Sequence, residues 1–139
     1  LAADLHSRLR DLRHANGAPA IRLYGPRGLA ARGGTLTFNV LDSHGGVVPY
    51  LQVETAARDA GISVRGGCFC NPGAAEAAFG AEPARLAHCL RELGGSFTPQ
   101  RLAACTGNTV GAIRASVGLA NDAGDIARLI ELLQGLRTS

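Results

Sequence analysis

Apolar residues recur along this chain with periods that change at glycines and prolines, and those changes divide it into short elements. Leu1, Leu5, Leu9 and Leu12 share one helical stripe, predicted to end near Asn16-Gly17. The stretch AIRLYG follows as a short strand. In GTLTFNVL, Leu36, Phe38 and Val40 alternate with Thr35, Thr37 and Asn39, the period of a half-buried strand. Pro49 suits the first turn of a helix ending at Gly61, because its φ is already helical and its missing N–H is not needed there. ISVR alternates again, with Ile62 and Val64 inward and Ser63 and Arg65 on the other face.

From Pro72 to about Gly95 the pattern is Ala-rich and helical, with a break at Gly80. TPQRLAAC reads as another short helix, opened by Thr98 and Pro99. VGAIRASV is a strand that points Ile113 and Val117 one way and Arg114 and Ser116 the other. The last helix starts at Asn121 or Asp122 and buries Ile126, Leu129, Ile130, Leu133 and Leu136. There is no internal repeat. This order of elements predicts an α+β fold, a small, mostly antiparallel sheet with helices packed on one face.

Composition narrows the function classes. A length of 139 residues suits one domain with a real core, and 46% apolar residues exclude a disordered chain. No apolar run approaches the ~20 residues of a membrane span, and the charged start is not a signal peptide. With four irregularly spaced cysteines and no export signal, a reduced, cytoplasmic setting is expected. Methionine is absent even at position 1, which points to a piece of a larger protein. Lysine is absent too: all 14 basic residues are arginine. Such a chain has no side chain on which to carry pyridoxal phosphate. The net charge of +3 is spread from Arg8 to Arg137, and two tyrosines and four phenylalanines are too few for a stacking surface, so nucleic acid is not an expected partner.

Chemistry concentrates in GGCFCNPGAAE, residues 66 to 76. A thiolate is the reactive form of cysteine, favoured by a nearby arginine or by N–H groups at a helix start. Cys70 follows Arg65 by five residues and precedes an Asn-Pro turn into a helix, which suits a nucleophile. A metal site using Cys68, Cys70, His88 and Cys89 competes with that reading, though a C-x-C without a matched second pair is weak for zinc. A Cys68–Cys70 disulfide would be strained. Cys89 and Cys105, in Ala/Leu-rich helical contexts, read as buried small residues. His44 and His88 read as turn and surface residues. Arg114, mid-strand among small and apolar neighbours, needs a carboxylate partner, either one of the chain's own acids or a substrate.

Taken together, VRGGCFCNPGA resembles the loop of molybdenum cofactor sulfurases and related class V aminotransferase-fold proteins. GTLTFNV, GISVRGGCFCNPGAAE and GAIRASVGLANDAGDIARLIELL stand in the order of that family's C-terminal portion, across residues 20 to 136. The resemblance implies a pyridoxal phosphate enzyme, usually a homodimer, of which residues 1–139 are the C-terminal small domain. The large domain with the cofactor lysine would be a separate part, so this chain alone would bind no cofactor and be inactive. Cys70 matches the cysteine that accepts sulfur as a persulfide, Arg114 the arginine that grips the carboxylate of a cysteine-like substrate, and Arg65 the arginine opening the loop. Three positions depart from the pattern. Cysteine desulfurases usually carry histidines where this chain has Cys68 and Phe69, and the eukaryotic sulfurases have a third cysteine where it has Ala75. A rival expectation keeps the fold as a non-catalytic binding or assembly module with an idle Cys70.

Overall fold

The stretch with the clearest two-residue alternation becomes an inner strand. The structure, a computed structural model, describes residues 1–26, 28, 30, 33–68, 77–80 and 82–136. Thr35–Val40 forms β2, burying Leu36, Phe38 and Val40. Its neighbours are β1 (Ile21–Tyr24) and β4 (Ala112–Ser116), and β3 (Arg65–Gly67) lies beyond β4. Both pairings of β2 are antiparallel. Burial holds their register, because a one-residue slip would turn Phe38 and Ile113 into water.

Three helices cover one face of this sheet: α1 (Ala2–Asp11), α2 (Tyr50–Asp59) and α5 (Ala123–Leu136). Leu5 and Leu9 of α1, Val53 of α2, and Ile126, Leu129, Ile130 and Leu133 of α5 meet Leu36, Phe38, Ile113 and Ala115 in one core. The α+β expectation is met. Asp122 caps α5, its Oδ1 accepting from the backbone N–H of Gly124 at 2.7 Å and of Asp125 at 3.1 Å. Asp125 returns the bond by accepting from the Asp122 N–H at 3.3 Å.

Three boundaries and one burial differ from the sequence reading. Helix α1 stops at Asp11, not near Asn16-Gly17, because Leu12 takes extended backbone (φ −68°, ψ 124°) and remains buried. Pro49 is the residue before α2, with ψ 130°, not a residue of its first turn. Ile62 and Val64 do pack against the core, but the ladder begins only at Arg65. Leu136 is only partly buried.

Residues Gly67–Ala112 form a second compact unit, distinct from the unit made by Leu1–Gly66 and Ile113–Ser139. It contains α3 (Pro83–Leu93), a 3₁₀ turn at Gly94–Ser96 and α4 (Pro99–Thr106). Thr98 caps α4 by accepting from the Arg101 N–H at 3.2 Å, and Gly107 ends it at φ +71°, a conformation that favours glycine. The turn folds α4 back on α3, and Cys89 and Cys105 form a disulfide with a Cα–Cα distance of 5.8 Å. This corrects the expectation of two unlinked buried thiols. It also removes Cys89 from the competing metal set, since a disulfide sulfur is not a thiolate ligand. No helix among the described residues is long and apolar enough to cross a membrane.

Candidate functional site

The alternation that buries Leu36, Phe38, Ile113 and Ala115 sends their neighbours to the face of the sheet away from α1, α2 and α5. Register then arranges those neighbours in rows. Tyr24 lies opposite Thr37, and Thr37 opposite Arg114, so one row crosses β1, β2 and β4. Thr35 lies opposite Ser116, and their hydroxyls stand 3.2 Å apart. On the other side of the Arg114 row, Arg22 faces Asn39.

Asn39 departs from the half-buried pattern, being 1% exposed although it points away from the helices. Its Nδ2 donates to the Tyr24 hydroxyl at 3.0 Å. A buried amide needs such a partner, so the pair holds the phenol in place across β1 and β2.

Arg114 and Arg65 belong to neighbouring strands. Gly66 tells which way Arg65 points: a Cβ on Gly66 would come within 2.5 Å of the Tyr50 ring of α2, so position 66 faces the helices. Arg65, one residue earlier, is exposed on the opposite side. Neither arginine's side chain has an ion pair or hydrogen bond to any described residue. Several acids of this unit are engaged elsewhere. Asp4 pairs with Arg8 at 3.0 Å, Asp11 with Arg10 at 2.8 Å, and Glu54 accepts from the Gly66 N–H at 3.3 Å.

Asp42 accepts N–H bonds from His44 and Gly46, both at 2.8 Å, and these hold its carboxyl below the usual range, with the Gly46 bond the larger cause. Asp125 is lowered chiefly by Asn121, which donates to it at 2.9 Å. Both carboxylates therefore serve turns and caps. No described acid lies against Arg114, and Glu76 lies outside the described residues.

The loop positions fare differently. Cys68 lies in the Gly67–Ala112 unit and is an exposed thiol. Cys70 lies outside the described residues. His44 sits in the turn that Asp42 closes, and His88 is exposed beside Glu92 at 3.7 Å, so both are the turn and surface residues expected.

A cleft of about 240 Å³ opens between residues 61–64, the end of β4 and the start of α5. Part of its polar lining is already engaged. Asn121 Oδ1 accepts from the Gly118 N–H at 2.8 Å, and Arg128 donates to the Ala60 carbonyl at 3.0 Å. Sequence reasoning missed Thr37, Tyr24 and Asn39, because alternation marks a polar position as outward without saying what stands opposite it.

No protein-family model matches the chain. Among curated proteins it is similar to molybdenum cofactor sulfurases. That of Drosophila willistoni is 31% identical over 137 residues, covering 96% of this chain and 17% of the relative. That of Bos taurus is 43% identical over 79 residues, 55% of this chain and 9% of the relative. That of Chaetomium globosum is 32% identical over 139 residues, 96% of this chain and 18% of the relative. The chain thus spans less than a fifth of the length of these relatives.

Proposed function

We propose that this chain, a relative of one segment of the molybdenum cofactor sulfurases, supplies the substrate-carboxylate arginine and the sulfur-accepting cysteine of a pyridoxal phosphate-dependent sulfur-transfer enzyme. The observation that carries the reading is Arg114. An arginine fixed mid-strand, exposed, with no carboxylate among the described residues to pair it, is set up for a carboxylate brought by a ligand. A two-pronged guanidinium matches a planar carboxylate better than an ammonium would.

Cys70 takes the sulfur in this reading. Its thiolate attacks the substrate's sulfur, an S–S bond forms, and the substrate's C–S bond breaks. The electron pair of that bond, with a proton, goes to carbon, so cysteine would leave as alanine. Pyridoxal phosphate, when bound, provides the electron sink for such bond breaking. With no lysine here, its covalent attachment falls to residues other than these 139. Arg65 is exposed on the strand beside Arg114, at the sequence position that leads into the cysteine loop.

The test uses the full-length protein. Arg114→Ala should lower kcat/KM for a cysteine-like substrate by about 10²-fold, mainly through KM, the loss of a charge-assisted pair. Cys70→Ala should abolish the protein persulfide while cofactor absorbance persists. Persulfide on the Cys70→Ala protein, or an unchanged KM in Arg114→Ala, would remove the proposal.

A further inference from the structure

We infer that Thr37 is a second substrate-binding residue, whose hydroxyl completes the carboxylate site built on Arg114. The inference rests on the reading of Arg114 as a carboxylate binder and adds to it the group directly across the strand. Thr37 and Arg114 are register partners on the same face, and opposed Cβ atoms in such a pair lie about 4.5–5.5 Å apart. The next pair along this face shows that opposed side chains meet here, since the Thr35 and Ser116 hydroxyls are 3.2 Å apart.

Hydrogen-bonding capacity fits the assignment. The Thr37 hydroxyl is half-buried and makes no hydrogen bond to a described residue, so its proton is available. A carboxylate offers about four acceptor positions, of which an arginine fork takes two. Thr37 answers a third. The Thr35–Ser116 pair uses one of its two hydroxyl protons internally and keeps the other. Tyr24, held by Asn39, closes the far end of the row. These hydroxyls carry no charge, so the positive charge for a bound carboxylate comes from Arg114, with Arg22 and Arg65 on the same face, while the hydroxyls fix its orientation.

The experiment titrates the ¹⁵N-labelled chain with sodium acetate, and with neutral acetamide as control, at constant ionic strength. The Arg114 Nε–H and the amides of Thr37 and Ser116 report binding. Acetate should give saturable shifts at these positions, and acetamide should not. Thr37→Val, which keeps the branched shape, should weaken acetate binding about tenfold, and Thr37→Ser should restore it to within about twofold. Circular dichroism checks the fold; if Thr37→Val disturbs the strand, Thr37→Ala against Thr37→Ser makes the same comparison. Thr37→Val binding like the unmodified chain, while Arg114→Ala does not bind, refutes the role of Thr37 and leaves that of Arg114 standing. Arg114→Ala binding normally, or acetate and acetamide shifting the same signals equally, overturns both.

Discussion

Reducing the Cys89–Cys105 disulfide should loosen α3 and α4 while leaving the sheet of the other unit intact. The bond closes a loop with a sequence separation of 16. Restricting an unfolded chain with a loop of that length stabilises the folded form by about 3 kcal/mol in the chain-entropy model. Little else in this unit acts on that scale. Among its described residues only Cys89, Leu102 and Ala112 are buried and apolar, and a fully buried leucine contributes about 1.5–3 kcal/mol. The other unit draws on fifteen buried core side chains and has no such dependence.

Amide hydrogen exchange read by mass spectrometry, with and without a dithiol reductant, tests this. Exchange across residues 83–106 should quicken by about 10²-fold on reduction, the rate equivalent of 3 kcal/mol. Peptides across β2 should not change. Cys105→Ala should reproduce the effect without reductant, since Cys105 is the less buried partner and its loss opens little space. If residues 83–106 keep their protection after both thiols are shown to be reduced, the disulfide is not what holds the hairpin. If β2 loses protection equally, the two units do not open separately.

Three further outcomes follow from the same structure. Leu9→Ala should cost about 2–5 kcal/mol in urea unfolding, because Leu9 is fully buried where α1 meets the sheet; a loss below ~1 kcal/mol would mean that α1 is not part of the core. Stability should fall in acid. The carboxyls of Asp42 and Asp125 are lowered in the folded chain, so their contribution is complete above the unfolded value near ~4 and is lost as pH falls through the folded value. Asp42→Asn should therefore flatten the acid limb of thermal melts between pH ~5 and ~2.5, and an unchanged limb would argue against the Asp42 turn. Finally, alkylation of the unreduced chain should label Cys68 and leave Cys89 and Cys105 until reductant is added, as peptide mass spectrometry would read.

The strands and helices that carry the core were legible because their signals are local. Leu36, Phe38 and Val40 repeat every second residue, and the Leu5–Leu9 and Ile126–Leu133 series follow the helical period, so each element announces its own buried face. Capping was legible for the same reason at Thr98 and Asp122, where a side chain bonds N–H groups two or three residues on. The misplaced boundaries fell where a distant contact wins. Leu12 looked like the fourth position of a helical stripe, but it leaves the helix and still buries itself, as the chain turns back so that the Ala20 N–H reaches the Leu12 carbonyl at 3.1 Å.

From the residues alone came which positions are apolar and inward, the capping residues Thr98 and Asp122, and the reading that Arg65, Arg114 and the Cys68–Cys70 loop carry the chemistry worth asking about. The sequence determined the absence of lysine outright. Only the tertiary structure decided that Thr37 stands across from Arg114, that Asn39 is buried against Tyr24, and that Cys89 joins Cys105. The physical reason is that these are pairings between segments. A strand's period says which way a side chain points, but register is chosen by the burial of both strands together, and Thr37 and Arg114 meet only because Phe38 and Ile113 must. A cysteine in an apolar helix looks the same whether it packs as a thiol or bonds to another. The turn at Gly94–Ser96 brings α4 back along α3, and that places one sulfur against the other.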